Sequence, residues 1–521
     1  MFKRFLSLLL ALFTALSLSG ASAAEYPAET VSYDVMIRVR PLNGDPDEMQ
    51  IFSVLEDATN VHLNFESVAQ AEWSEKINML LGAAVDLPDA LYSGYALTGS
   101  ELVTYGSQGI LLALNPYIDE YMPNFAAMLS AHPEVKAAIT APDGNIYSLP
   151  FVKKDGLTGA IASNMFINKT WLERLNLEVP TTIEELETVL TAFKEQDANG
   201  NGDPSDEIPM TFKFLGSQRD LGGLFGMFGY ADALYSNANH FVVDDGKVVW
   251  VPTTEGYKNA CAYLHEHFFA KGLIDMEGFT MDKATYNAQN QGDVANIGVF
   301  FAWNIFDLGT AHMDEYVALA PMKGADGTTS WGYNTSAGIE ASGLVLTNAC
   351  KNPEYLLMWA DLLYDYNYAM QMEYGMIGVN LIDNGDGTYS YAETPEGLTY
   401  DEFAFGNTYP DSCLALFDDF YDTMLDIPDS AKAKDKINNE LYLPVADTIY
   451  YPNLLFSAED NDRISLIGAD IISYTEEMRA KWLAYGGVEE EWDAYITRIN
   501  QMGMKEYLDI YQSTYDNAYG K

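Results

Sequence analysis

Val31-Ser-Tyr-Asp-Val-Met-Ile-Arg-Val39 reads as a strand, and the residues up to Tyr92 repeat the strand pattern with helices between. An amphipathic helix is expected around Asp47 to Glu56. Val61 to Val68 sets Val61, Leu63 and Phe65 on one face with polar residues between them. Trp73 to Ala84 places Trp73, Ile77, Leu80 and Leu81 on one helical stripe, and Ala90-Leu-Tyr92 is short and apolar. Strand, helix, strand, helix, strand predicts a parallel sheet of α/β type. Ligands of such sheets sit at the carboxyl ends of the strands, which points to Asp89 to Tyr95.

The same alternation continues. Asp143-Gly-Asn-Ile-Tyr-Ser-Leu-Pro150 pairs a hairpin-type turn with a short strand, and Phe166-Ile-Asn168 opens a strand–helix unit whose helix is Thr170 to Leu175. Thr182 and Glu185 form a capping box ahead of a helix that buries Ile183, Leu186, Val189, Leu190 and Phe193. Ile297 to Trp303 has no charged or polar side chain and reads as a buried strand. Residues 465–515 are helical and carry Trp482, Trp492, Tyr495, Tyr507 and Tyr511.

A chain of 521 residues exceeds what one hydrophobic core supports, so two or more lobes are expected. Lys3 and Arg4, the apolar run Phe5 to Leu18 and Ala21-Ser-Ala23 have the form of a secretory leader occupying residues 1–24. The net charge is −48, or −50 once Lys3 and Arg4 leave with the leader, which repels nucleic acid and anionic membranes. Cys261, Cys350 and Cys413 are too few and too scattered for a disulfide framework or a zinc site, and free thiols are expected. Neither the nucleophile elbow, nor the phosphate-cradling glycine loop, nor the His-Glu-x-x-His pattern occurs.

After the capped helix comes Asp197-Ala-Asn-Gly-Asn-Gly-Asp-Pro-Ser-Asp-Glu207. Asp197, Asn199 and Asn201 alternate, so their oxygens can converge on a hard cation, and Gly202 permits the sharp turn that brings in a carbonyl. The twelfth position is Ile208 rather than the Glu of an EF-hand, with carboxylates at Asp206 and Glu207 instead. A solvated Asx/Gly turn is the competing reading. Asp383-Asn-Gly-Asp-Gly387 is shorter, has strand-like flanks and reads as a hairpin turn.

Aromatic side chains gather at expected strand ends and loops: Tyr92, Tyr95, Tyr147, Phe151, Trp303, Trp331, Tyr333 and Tyr374, with Asp89, Asn304, Asn334 and Glu373 beside several of them. Sugar rings stack their C–H faces on such side chains, while their hydroxyls need amide and carboxylate partners. Trp303 is the leading stacking candidate, Tyr147, Trp331 and Tyr333 secondary platforms, and Asp89 and Asn304 hydroxyl partners. Tyr92 and Tyr374 complete the candidate set.

Gly82-Ala-Ala-Val-Asp-Leu-Pro-Asp89, Asp143 to Pro150, Phe166-Ile-Asn-Lys-Thr-Trp-Leu172, Val179-Pro-Thr-Thr182, the cation loop, Trp303-Asn304 and Ala320-Pro-Met-Lys-Gly324 occur in this order. With Trp482 to Trp492 and Met502 to Tyr507, they make the chain similar to extracellular solute-binding proteins of family 1, the carbohydrate-binding type that serves ABC importers. The resemblance implies a two-lobed α/β fold of the periplasmic-binding-protein type (type II, maltose-binding-protein-like) with an interlobe cleft and a helical C-terminal region. It implies crossings between lobes near residues 152–160, 320 and 370, hence lobe 1 at 25–155 plus about 321–370 and lobe 2 at about 156–320 plus 371–521. It implies a structural calcium ion held by Asp197, Asn199, Asn201, Asp206 and Glu207, with Asp203 through its backbone. It implies a monomer that binds an oligosaccharide without catalysis and hands it to ABC permease subunits in the membrane. The absence of a lipobox cysteine implies a periplasmic or freely secreted protein. A peptide or cationic solute in the same cleft, a secreted calcium-stabilised glycoside hydrolase or lyase, and a surface adhesion or sensor protein are the rival readings.

Overall fold

The computed structural model describes residues 25–520 apart from 155–156, 233, 235–238, 309–310, 418–422 and 424–428; the expected leader lies outside the described residues. The strands along the first third are β1 (Val31–Val39), β2 (Val61–Ala69), β3 (Ala90–Tyr92), β4 (Leu149–Lys153), β5 (Asn164–Asn168) and β6 (Ile208–Met210). Then come β7 (Phe241–Asp244), β8 (Lys247–Trp250), β9 (Ile297–Ala302), β10 (Tyr316–Leu319), β11 (Gly332–Tyr333) and β12 (Ile339–Leu346). The last four are β13 (Leu381–Asp383), β14 (Tyr389–Tyr391), β15 (Leu414–Leu416) and β16 (Thr448–Tyr450).

Two main sheets organise the chain. The first runs β15-β4-β12-β3-β1-β2, and the second β10-β5-β9-β6. A third sheet, β11-β16-β7-β8, packs in the same core as the second. The expected parallel unit is present: β1 pairs in parallel with both β2 and β3, and the helices Gln50–Thr59 and Trp73–Ala83 join them. β12 enters antiparallel to β3 and β4, so the sheet is mixed. Its two faces feed two hydrophobic clusters. One holds Val35, Ile37, Tyr92, Trp359 and Leu414, and the other Met36, Trp73, Leu91 and Tyr147, as the alternation of a strand buried on both sides requires. The second core gathers Trp171, Phe193, Phe301 and Trp331 with Trp482, Trp492, Tyr495 and Tyr511 from the C-terminal helices Ala469–Tyr485, Val488–Met502 and Met504–Tyr519.

The chain passes between the two main sheets after β4, before β12 and after β15. These three strands are neighbours, so the crossings lie side by side. Lys153 N–H donates to Gly338 O at 2.8 Å, and Lys154 N–H to Leu416 O at 2.9 Å. The third crossing departs from expectation. Met372, Met376, Leu381 and the strand β15 pack in the first core, whereas the expected division at 370 puts them in the second lobe. Their apolar stripe complements the outer face of the first sheet, a tertiary choice that local pattern does not encode. Asp383 to Gly387 turns the hairpin β13–β14, and all three thiols are free.

Candidate functional site: an interlobe crevice and a cation loop

β1, β2 and β3 run in parallel, so their carboxyl ends open on one edge. Arg38 closes β1, Gln70 follows β2, and Tyr95 follows β3 after the Ser93-Gly94 turn. Gly94 is required there: its N–H donates to Asp411 O at 2.6 Å, and a Cβ would lie 2.2 Å from that oxygen. These residues line a crevice of about 450 Å³ with Thr98, Glu101, Glu340 and Ser342. Asn453 to Leu455, from the segment after β16, supply part of its wall.

The crevice is charged. Arg40 pairs with Asp411, and Lys153 with Glu373 at 2.9 Å. Glu373 also accepts the Asp411 N–H at 2.9 Å, and the Lys153 ammonium lies 5.0 Å from the ring centre of Tyr374. The Arg38 guanidinium stands 5.4 Å from the ring centre of Tyr95, which is 45% exposed. Burial pushes the Glu340 carboxyl up to about 7, with the charge of Asp411 adding to the rise.

In the second lobe, Trp303 and Asn304 end β9, as the sequence places them. Trp303 is half-buried; its N–H donates to Asp307 Oδ2 at 3.1 Å, and Asp307 pairs with Arg219 at 2.8 Å. The Lys434 ammonium covers one face of the indole at 4.1 Å and donates to Trp303 O at 2.6 Å and Asn164 Oδ1 at 3.1 Å.

Several expected site residues lie elsewhere. Tyr92 is fully buried between Phe52, Trp359 and Tyr409. Trp331, 2% exposed, packs edge-on against Tyr442 and donates from Nε1 to Ser163 O at 3.2 Å. Tyr147, 6% exposed, packs against Gly106, and its hydroxyl donates to Asp143 Oδ2 at 2.5 Å. Tyr333 is half-buried on β11 against the second core. Asp89 precedes β3 and accepts the Asp34 N–H at 2.8 Å, so it sits at the amino edge of the sheet. A three-residue strand is long enough to send its two flanks to opposite edges, and only Tyr95 reaches the crevice. Sequence reasoning passed over Arg38, Arg40, Glu340 and Asp411. The available signal was a cation ending the buried run Val35-Met-Ile37.

The loop after helix Ile183–Glu195 is built by that helix, whose Thr182–Glu185 capping box is present. Asn201 N–H donates to Asn199 Oδ1 at 2.9 Å, Asp203 N–H to Asn201 Oδ1 at 2.7 Å and Gly202 N–H to Asp197 Oδ2 at 3.0 Å. The amides of Asn199 and Asn201 turn on Asp206 at 2.8 and 2.6 Å. No group of three or more His, Cys, Asp or Glu side chains forms a metal cluster among the described residues; this loop is a mixed carboxylate and amide set. Asp197 Oδ1 and Glu207 Oε2 are buried there with no hydrogen-bond partner. Burial raises the Glu207 carboxyl above its usual range, and the charge of Asp206 adds to it. Two orphaned carboxylate oxygens, amide oxygens and a Gly202 with φ of +93° fit a hard cation with oxygen ligands.

Two α/β sheets joined by three adjacent crossings, with a polar crevice at parallel strand ends, define the two-lobed solute-binding class. The sequence matches no family model. It is 32% identical over 519 residues to the fructooligosaccharide ABC transporter substrate-binding protein FusA of Streptococcus pneumoniae serotype 4, covering 96% of this chain and 94% of the relative. The chain belongs to the substrate-binding proteins of ABC transporters. The structure of FusA in complex with kestose superposes with a TM-score of 0.73 at 31% identity, over 94% of this chain and all of that one. FusA has also been solved as an EF-hand mutant in complex with fructo-nystose. A human-milk-oligosaccharide (HMO) binding solute-binding protein from Bifidobacterium longum infantis gives a TM-score of 0.80 at 26% identity, over 95% of this chain and all of that one. The family binds and delivers; it does not catalyse. Among the described residues no helix is long and apolar enough to cross a membrane.

Proposed function

We propose that this protein binds an oligosaccharide between its lobes and presents it to the permease of an ABC importer. The observation that carries the reading is the kestose-bound relative, which aligns over nearly the whole of both chains and whose fold this chain shares. The crevice supports it with the half-exposed Tyr95 ring beside donors and acceptors, at the strand ends where α/β sheets meet ligands. In this reading Trp303 stacks on a sugar ring through the face away from Lys434, Asn304 meets hydroxyls, and Tyr374 flanks the site. Trp331, Tyr92, Tyr147 and Asp89 are structural, and Tyr333 is a secondary contact at most.

The lobes are 25–153 with 339–417, and 160–333 with 429–520. They close on ligand through the three neighbouring crossings, which selects the closed state by differential affinity. The loop at 197–207 holds a calcium ion through Asp197, Asn199, Asn201, Asp206 and Glu207, with the backbone of Asp203. The ion's role is stability, because anything bound only to the folded state raises it by mass action. The protein acts outside the cytoplasm as a monomer after its leader is removed.

Calorimetric titration of the protein, residues 25–521, with kestose, nystose, lacto-N-tetraose and a cationic peptide tests this reading. Saturable binding of one glycan class, recovered unchanged after incubation, is the expected result. Binding of the peptide alone, or glycan cleavage, would overturn it.

A further inference from the structure

The first-lobe wall of the crevice holds two charged side chains, Arg38 and Glu340, for which no ion-pair or hydrogen-bond partner lies among the described residues. The Arg38 guanidinium lies against the Tyr95 ring. The Glu340 carboxyl is half-buried at the irregular start of β12, where the register shifts between Glu340 and Leu344. The other charges around them are committed: Arg40 to Asp411, Lys153 to Glu373, and Glu101 to the backbone and hydroxyl of Thr98. The mounting is rigid. Ser342 Oγ accepts the Leu97 N–H at 3.0 Å, tying β12 to the Tyr95 loop, and Gly94 fixes that loop on Asp411.

Partial burial penalises the ionised Glu340 carboxyl, and the cost falls when a ligand donates hydrogens to it. An unpaired guanidinium has the converse need. A sugar diol meets both, because each hydroxyl donates one hydrogen and accepts at its lone pairs. Tyr95, which lies against Arg38 and lines the same crevice as Glu340, receives the apolar face of the same sugar. With the neighbouring charges paired off, Arg38 and Glu340 balance each other, so an uncharged ligand leaves no excess. A uronic acid would satisfy Arg38 while setting its own charge against Glu340 and Glu101, which no cation neutralises among the described residues.

Resting on the glycan-binding reading, we infer that Arg38 and Glu340 jointly grip neighbouring hydroxyls of one sugar unit stacked on Tyr95, and so select uncharged glycans over acidic ones. Glu340 accepts as a carboxylate. Burial holds it near 7 in the free protein, so binding releases a proton below that pH. Affinity therefore rises as pH goes from 6 to 8, by up to about tenfold, since one unit below its midpoint only about a tenth of the carboxyl is ionised. The titratable and charged groups facing Glu340 are Asp411 and Tyr95, with Arg38, Arg40, Lys153 and Glu373 beyond them.

The test is titration calorimetry with kestose, nystose, lacto-N-tetraose and trigalacturonate on wild type, Glu340→Gln and Arg38→Gln, each checked for a wild-type melting profile. For the neutral glycan that wild type binds best, each variant is expected to lose at least tenfold in affinity. Glu340→Gln is also expected to abolish the pH dependence between 6 and 8, and wild type to bind trigalacturonate at least a hundredfold more weakly. If a Gln variant misfolds, Glu340→Asp and Arg38→Lys replace it, with intermediate affinity expected. Neutral-glycan binding at wild-type strength in both variants, or a preference for trigalacturonate, overturns this inference alone. A wild type that binds none of these glycans overturns the glycan reading and this inference with it.

Discussion

Trp303 and Trp331 carry the same side chain in two settings. Trp331 is enclosed by Tyr442, Gly223 and Tyr450, and a Cβ on Gly223 would stand 2.2 Å from its ring. Truncation there opens a cavity, and Trp331→Ala is expected to destabilise the fold by about 3–5 kcal/mol. Trp303 is half-buried and makes a cation–π contact with Lys434. Trp303→Ala is expected to cost about 1–2 kcal/mol of stability through that contact and about 1–3 kcal/mol of glycan affinity. Urea unfolding and calorimetry on both variants separate the two roles. A Trp331→Ala protein as stable as wild type would contradict its placement in the core. Trp303 follows an apolar run and Trp331 sits among Thr329, Ser330, Gly332 and Asn334, so local polarity points away from the burial each one has. Exposure is a property of what packs around a ring, which the sequence does not state near the ring itself.

At the scale of elements, the helix Ile183–Glu195 and the loop after it act as one unit. The Thr182–Glu185 box satisfies amino-terminal N–H groups, while the carboxyl end delivers Asp197 to the loop. Thr182→Ala is expected to lower stability by about 1 kcal/mol with or without calcium. Glu207→Gln leaves the metal-free melting point near that of wild type or above it, since Oε2 of this half-buried carboxylate has no hydrogen-bond partner, and abolishes the rise that calcium produces. Thermal scans in calcium and in chelator check both. A calcium-induced rise of wild-type size in Glu207→Gln would remove that side chain from the ligand set. This unit was legible in the sequence because its interactions span few residues. The helix bounds, the box and the oxygen donors all follow from spacing.

At the scale of the whole molecule, three crossings lie side by side at β15-β4-β12, the place proposed for the hinge. Gly338 sits on one of them with φ of +73°, and a Cβ there would meet Lys153 O at 1.9 Å. Gly338→Ala is expected to cost roughly 1–3 kcal/mol from backbone strain alone, and the clash pushes the first two crossings apart. Small-angle scattering should show the radius of gyration falling on glycan addition in wild type and falling less in this variant. Identical compaction in the two would relieve Gly338 of any part in the hinge.

The sequence by itself determined the parallel β1–β2–β3 unit, the buried strand β9, the capped helix and the run of oxygen-bearing side chains that follows it. These are set by periodicity, caps and turn chemistry acting over a few residues. Only the tertiary structure decided the third crossing, the edge of the sheet on which Asp89 and Tyr95 fall, and the burial of Tyr92, Tyr147 and Trp331. It alone brought Arg38, Glu340 and Asn453 to one crevice. Such groups are distant in the chain, and the packing free energy that brings them together belongs to whole faces of sheets rather than to any local run of residues.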